Sequence, residues 1–123
     1  MIEKIINIVE KATGLPVKPL IADTSKECIL YNWTVFSDDG VKCQNRLELR
    51  IITKTVAKAE EAKQRIIESL VNFGDRMEIE DIYNCDVNGG GQVFEYDTEM
   101  IHTYIYFSIL TRSYKWLKRK DTF

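Results

Sequence analysis

The chain has 123 residues, enough for one domain with a hydrophobic core and too few for two ordinary domains. Hydrophobic residues make up 45% and charged residues 29%, a balance typical of soluble globular proteins, and no apolar run approaches the roughly 20 residues that span a bilayer. The formal net charge of -2 argues against a dedicated nucleic-acid-binding protein, and acidic residues inside the apolar N-terminus argue against a signal peptide.

The cysteines indicate reduced thiols rather than a disulfide framework or a metal site. There are three of them, Cys28, Cys43 and Cys85, an odd number without a close pair, which is typical of a cytosolic setting. Zinc sites need ligands paired at short spacing, and only His102 could assist these distant cysteines. We therefore expect no metal and no cofactor.

The N-terminal segment predicts a helix followed by an extended stretch. Apolar residues recur at helical spacing: Ile2, Ile5, Ile6 and Val9. Gly14 is placed to end this helix. Both prolines lie in "LPVKPLIAD", so Leu15 to Asp23 should run extended along the surface.

A long hairpin is predicted from Cys28 to Lys54, because apolar and polar residues alternate on both sides of the turn "SDDG". The preferred register places Tyr31 opposite Leu47, so that the apolar residues of both strands share one face. Shifts of two residues in either direction keep that property and stay open.

A second helix is predicted after the hairpin. Thr55 can cap its start, and Gly74 is placed to end it. Glu61 and Arg65 lie one turn apart on the exposed side. Its apolar stripe consists of Ala59, Ala62, Ile66, Leu70 and Phe73.

The C-terminal half predicts further strands, "MEIEDIYNCDV" and the more apolar "MIHTYIYFSILTR", with "QVFEYD" as another strand or an extended arm. The last long strand is predicted to occupy the sheet centre and to be buried largely on both sides. The fold class predicted is α+β, a single domain over residues 1–123. The element order is α-β-β-α-β-β(-β), with a mixed or mainly antiparallel sheet and two helices packed on one face.

The stretch "NCDVNGGGQVFEYD" raises the question of a phosphate-binding loop. A Walker loop needs a lysine and a Ser or Thr after its last glycine, whereas Gly91 is followed by Gln92 and Val93. Asn88 and Gly89 can both adopt positive φ, so we predict a structural turn in a tight hairpin.

Catalytic arrangements are not evident either. His102 is the only histidine, and a nucleophilic site would have to combine it with Ser108 or Cys85, which nothing in the sequence brings near it. We expect His102 to face solvent or a neighbouring subunit and the acidic strand to be ordinary protein surface. The prediction is that the protein is not an enzyme and has no catalytic residues.

Charge is segregated along the chain. From Asp75 to Glu99 there are eight acidic residues and one basic residue, whereas Arg112 to Lys120 contains five basic residues and no acidic one. One interpretation is a solvated strand plus a basic tail at about residues 113–123. Another is a head-to-tail interface that closes a ring, with Trp116 as a buried anchor unless it folds back on its own sheet. A third is DNA contact by the basic tail. The candidate interface residues are Asp86, Asn88, Gly89, Gly90, Gly91, Glu95, Asp97, Arg112, Trp116, Lys118 and Arg119.

The order of these elements resembles the tail completion, or tail terminator, proteins of long-tailed bacteriophages and prophages. The resemblance rests on the helix ending at Gly14, "LPVKPLIAD", the hairpin "CILYNWTVFSDDGVKCQNRLELRIITKT", the helix "AKAEEAKQRIIESLVNFG", the "NGGG" loop and the strand "MIHTYIYFSILTR". It implies a non-catalytic structural protein of the virion tail, made in the host cytoplasm. It also implies a homo-oligomeric ring, typically a hexamer, that caps the tail tube and joins it to the head.

The implied partners are the tail tube protein and head–tail connector proteins, with incidental DNA contact in the lumen and no membrane. In this family, the loop at Asn88 to Gly91 corresponds to a variable excursion that could touch the tube or a neighbour. Two alternatives stay open: a head–tail connector or adaptor of similar fold, and a small enzyme that uses His102.

Overall fold

The computed structural model describes residues 2–19, 24–71 and 82–113. This part of the chain forms two helices and one five-stranded sheet. In chain order the elements are α1 (Ile2–Thr13), β1 (Val17–Pro19), β2 (Cys28–Asp38), β3 (Lys42–Thr53), α2 (Val56–Val71), β4 (Ile82–Glu95) and β5 (Met100–Arg112).

The sheet is mixed, with the spatial order β1-β2-β3-β5-β4. β1 pairs with β2 in parallel, and every other pairing is antiparallel. This confirms the predicted single α+β domain. β1 is an additional strand, formed where the proline-containing segment was expected only to be extended.

The first helix ends where predicted. Gly14 has a φ of 72°, and its N–H donates to the carbonyl of Glu10 at 2.8 Å. The Glu10 carboxylate accepts a second bond from the N–H of Val17 at 3.2 Å, which ties the start of β1 to α1. Residues 20–23, the rest of the predicted extended stretch, lie outside the described residues.

The second helix also follows the prediction. The hydroxyl of Thr55 accepts a bond from the N–H of Lys58 at 3.2 Å, which is an N-cap contact. Glu61 and Arg65 form an exposed ion pair of 2.7 Å. The predicted stripe is buried at Ala59, Ala62, Ile66 and Leu70, whereas Phe73 and Gly74 lie outside the described residues.

The preferred hairpin register is wrong by two residues, and one of the shifts left open is correct: Tyr31 lies opposite Leu49. Two local features account for the shift. A bulge between Val35 and Ser37 adds a residue to β2. The carboxylate of Asp39 accepts bonds from the N–H groups of Val41 and Lys42 and so fixes a turn beyond Asp38.

The two sides of the sheet differ, and we call them the helix face and the tyrosine face. Both helices pack on the helix face, as predicted, and the alternation of β5 divides Phe107 on that side from Tyr104 and Tyr106 on the other. The main core lies on the helix face and consists of Ile5, Val9, Val17, Ile29, Leu47, Leu49, Ile51, Ala62, Ile66, Leu70, Ile82, Cys85, Ile105, Phe107 and Ile109. A smaller buried cluster on the tyrosine face contains Cys28, Leu30, Ile52 and Met100.

Two predictions about β5 need correction. β5 is an inner strand, but β3 holds the middle position of the sheet. Burial is also one-sided along most of β5, because Phe107 is fully buried whereas Tyr104 and Tyr106 are only half-buried.

The predicted turn at the three glycines is wrong. β4 continues through them, and the turn of the β4–β5 hairpin lies at residues 96–99. The register shifts between Val87, opposite Phe107, and Gly90, opposite Ile105. Gly89 has a φ of 115°, so the flexible residues form a bulge while pairing with β5 resumes beyond it. "QVFEYD" therefore begins as the continuation of the same strand.

Candidate assembly surface

Most of the interface residues predicted from the sequence lie on one border strand of the sheet, and the others lie elsewhere in the chain. Asp97 lies in the hairpin turn, and Arg112 ends β5 opposite Lys42 of β3. Trp116, Lys118 and Arg119 lie outside the described residues. The remaining candidates all lie on the border strand β4: Asp86, Asn88, Gly89, Gly90, Gly91 and Glu95.

β4 is a long exposed border. Every residue from Asp86 to Glu95 is exposed, and several of the exposed side chains on this strand and in the turn are large and apolar. Tyr96 is 83% exposed, and its ring contacts that of Phe94 edge to face with 5.0 Å between centroids. An exposed strand of this length with apolar side chains is typical of a surface that pairs with another chain.

The bulge inverts which side chains face which side. Before it, Val87 lies on the helix face and Asp86 on the tyrosine face, because their partners in β5 are Phe107 and Ser108. Asp86 accepts a bond of 2.8 Å from the side-chain amide of Asn84. Beyond the bulge the odd-numbered residues turn to the tyrosine face, since Gly91 lies opposite Tyr104.

Gly90 allows the close approach of β4 to β5 at the bulge. A Cβ atom there would lie 2.4 Å from the carbonyl oxygen of Tyr104, whereas a Cβ at Gly91 would meet nothing within 4 Å. The glycines therefore serve backbone packing within the sheet. The three glycines thus lie at a bulge within a strand, and not in the hairpin turn predicted from the sequence or in a phosphate-binding loop.

The tyrosine face carries cation–π pairs that sequence reasoning missed. The guanidinium carbon of Arg46 lies 4.0 Å from the ring centroid of Tyr106, and that of Arg50 lies 4.8 Å from the centroid of Tyr104. Beside them a shallow cleft of about 230 Å³ is lined by Asn32, Thr34, Phe36, Arg46, Glu48 and Tyr106. The alternation of Arg46 and Arg50 was visible in the sequence, but its meaning depends on the pairing of β3 with β5.

His102 is buried, which contradicts the expectation that it faces solvent or a neighbouring subunit. It is 3% exposed, and within the described residues neither ring nitrogen has a hydrogen-bond partner. Burial lowers the pKa of His102, and the nearby Arg50 lowers it further, whereas Glu95 acts in the opposite direction.

The structure does not bring the suggested catalytic groups together. Ser108 is on the same strand and face as His102 but roughly 20 Å along it at ordinary strand spacing, and its hydroxyl accepts a bond from Gln44. Cys85 faces the helix side, and burial, followed by the effect of Asp86, raises its pKa to about 12. A thiol with such a pKa stays protonated at neutral pH and is a poor nucleophile.

Two searches of the described residues, 2–19, 24–71 and 82–113, bear on the class of protein. Neither helix there is long and apolar enough to cross a bilayer. No group of three or more His, Cys, Asp or Glu side chains in those ranges is arranged to hold a metal ion.

Comparison with known proteins gives a structural likeness. No family model matches the sequence, and no curated protein matches it. Among solved structures, the chain is similar to one from a structure described as the virion of a native gene transfer agent (GTA) particle. The TM-score is 0.66 and the identity 10%, and the alignment covers 91% of this chain and 92% of that chain. At this identity the likeness shows that the two chains share a fold over nearly their whole lengths.

Proposed function

We propose that the protein is a structural virion protein that assembles as a ring, a hexamer in the simplest case, which caps the tail tube and joins it to the head. The observation that carries the proposal is the 14-residue border strand β4, exposed from Asp86 to Glu95, on a fold shared with a chain of a virion particle. The partners in this proposal are the tail tube protein and head–tail connector proteins, with incidental DNA contact in the lumen.

Charge supports a contact between copies. Residues 82–99 contain the acidic residues Asp86, Glu95, Asp97 and Glu99 and no basic residue. The opposite sign occurs at the end of β5, at Arg112, and in the sequence beyond it. A face of one sign and an end of the other form a heterologous contact, which generates a ring when the rotation closes. Such charges set orientation and register more than affinity.

In the proposed interface, the acidic surface of one copy meets the basic end of its neighbour. The acidic side consists of Asp86, Asn88, Gly89, Gly90, Gly91, Glu95 and Asp97. The basic side consists of Arg112, Trp116, Lys118 and Arg119.

Co-sedimentation tests this role. We expect the purified chain to sediment with finished tail tubes and to form a ring visible by electron microscopy at their ends. Binding to empty heads but not to tails would favour a head–tail connector of the same fold instead. A chain that stays monomeric at high concentration, at low and high salt and with tubes present, would contradict the ring.

A further inference from the structure

The sheet has two borders without a strand neighbour in the described residues, and both are long. β1 pairs only with Ile29–Tyr31 of β2, so the second part of β2, Asn32–Asp38, has β3 on one side and no described strand on the other. At the far border, β4 has only β5 beside it. Unpaired strand borders of this kind offer rows of backbone donors and acceptors to another strand.

The strand directions make these two borders compatible. β2 is antiparallel to β3, β3 to β5 and β5 to β4, so β2 and β4 run in opposite directions. A second copy rotated about an axis roughly along the strands would place its β2 beside β4 of the first. The two strands would then meet antiparallel, the slightly more stable pairing per residue.

The register within one copy shows which residues would meet. Trp33, Leu47, Phe107 and Val87 form one row across the sheet. The adjacent row runs through Thr34, Arg46, Ser108 and Asp86, and the next through Val35, Asn45, Ile109 and Cys85. If these rows continue in line from one copy into the next, Trp33 of one copy lies opposite Val87 of the other. Thr34 then lies opposite Asp86, and Val35 opposite Cys85.

Side chains on the two borders match in this register. On the helix face, Val35 is 46% exposed and Val87 is 43% exposed, so pairing would cover apolar surface on both strands. On the tyrosine face, Asp86 would lie beside Thr34, next to which stands Arg46 of the same neighbouring copy. Apolar residues thus meet apolar residues, and an acidic residue comes near a basic one.

The stretch before the bulge lacks two of the features that usually block a strand border, although a first register shift lies within it, between Ile82 and Asn84. From Ile82 to Val87 there is neither a proline nor a lysine. The register shift after Val87 ends this stretch. Within it, Asn84–Val87 pair regularly with β5, and Cys85–Val87 are the residues that would face Trp33–Val35 of the next copy.

We infer that the partner of this border is a second copy of the chain: residues 82–87 of β4 pair antiparallel with residues 32–38 of β2 in the next copy. Repetition of this contact continues one sheet from copy to copy and pairs the β2 border of each copy with the β4 border of the next. The inference rests on the proposed ring, and for Asp86 it replaces the contact with the neighbour's basic end by a contact with the neighbour's β2 border.

Cysteine cross-linking of a mixture tests this contact. We would prepare Thr34→Cys and Asp86→Cys as separate full-length variants, because both positions are exposed. Under mild oxidation, a one-to-one mixture should give a disulfide-linked dimer several-fold above the level from either variant alone. The double variant should give a ladder of linked species that ends at the closed ring. Native Cys85 should not compete, because it is buried.

The matched control replaces Asp86→Cys by Glu95→Cys, which is also exposed and on β4 but beyond the bulge. Its mixture with Thr34→Cys should give no dimer above background. Equal cross-linking in both mixtures would overturn the inferred register, and cross-linking only in the control mixture would place the contact elsewhere.

Charge exchange gives a second readout that needs no oxidation. Thr34→Asp should weaken self-association at low salt because it sets a carboxylate beside Asp86, and adding Asp86→Lys should restore it. A smaller particle for the single variant and a particle of wild-type size for the double variant would support the pairing. Identical sizes for all variants would overturn it.

The outcomes separate this inference from the proposed function. Rings that form on tail tubes without the Thr34–Asp86 cross-link would overturn the strand pairing and leave the tail role intact. A specific cross-link in a protein that ignores tail tubes would support the pairing and contradict the tail role.

Discussion

The two faces of the sheet are covered by different parts of the molecule. The helix face is sealed by α1 and α2 over a continuous apolar core. The middle of the tyrosine face is half-buried and covered by its own side chains, with Arg46 and Arg50 lying over Tyr106 and Tyr104. This difference indicates that most of the folding stability comes from the helix face. The tyrosine face and the sheet borders can then contact other molecules.

The largest expected effect comes from opening the helix face. Phe107→Ala removes a fully buried ring from β5 and should lower the free energy of unfolding by about 3–5 kcal/mol. Its neighbour Tyr106 points to the tyrosine face, so Tyr106→Ala should cost clearly less. Urea unfolding of both variants measures the difference, and similar losses would mean that the two faces contribute alike.

A smaller loss is expected from the bulge that connects the two halves of β4. Gly90→Ala forces a Cβ against the carbonyl oxygen of Tyr104, so it should destabilise by about 1–3 kcal/mol, the usual cost of overpacking. Gly91→Ala meets open space and serves as the control. Thermal unfolding of both variants would test this, and an unchanged Gly90→Ala protein would show that the strands can separate at no cost.

The cation–π pairs on the tyrosine face should contribute less still. A double-mutant cycle of Arg46→Gln and Tyr106→Leu isolates their interaction, which we expect to be about 0.5–1 kcal/mol at a partly exposed site. Denaturant unfolding of the four proteins gives the value. A coupling of zero would mean that Arg46 is held in place by other contacts.

The smallest effect expected is a dependence of the free energy of unfolding on pH, which arises from His102 and appears only in acid. Burial lowers the pKa of His102 below its ordinary value of 6.5, so the unfolded chain binds more protons once the pH falls through that value. The free energy of unfolding should therefore decrease as the pH drops from 6.5 towards the lowered pKa. His102→Phe should reduce this dependence.

Because His102 is the only histidine, its pKa can be read directly by NMR titration of the imidazole. Groups near it that also carry charge are Arg50 and Glu95, both present in the variant. An imidazole that titrates at or above 6.5, or an unchanged pH dependence in His102→Phe, would contradict the prediction.

Local signals in the sequence predicted most of the fold. The stop at Gly14, the cap at Thr55 and the alternation in the first hairpin depend on neighbours along the chain, and each is present in the structure. The predicted strand residues before Ile82 lie outside the described residues. What failed were two positions at which a bulge interrupts the pairing of neighbouring strands. The hairpin register was missed because the bulge at Val35–Ser37 leaves no sequence signature. The strand through the glycines was missed because Asn-Gly equally favours a turn and a bulge.

That the candidate residues form an interface stays a prediction. Charge counting along the chain found the acidic strand, and the structure puts Asp86 and Glu95 on one border. It could not find the arginine–tyrosine pairs, since Arg46 and Tyr106 are far apart in sequence and meet only through the register of β3 with β5. Nor could it predict the burial of His102, whose flanking residues do not show what packs over it.

The bulge at Val87–Gly90 reverses the faces to which odd- and even-numbered side chains of β4 point. From Asn84 to Val87, odd-numbered side chains point towards the helices, and beyond the bulge even-numbered ones do, with Phe94 opposite Ile101. Removing a single residue there would flip Val93 and Phe94 to opposite sides unless the register with β5 adjusted, whereas removing two would preserve their sides. Related chains with hairpins of different length should therefore differ by even numbers of residues between Val87 and the turn, or by one residue when the bulge itself is lost.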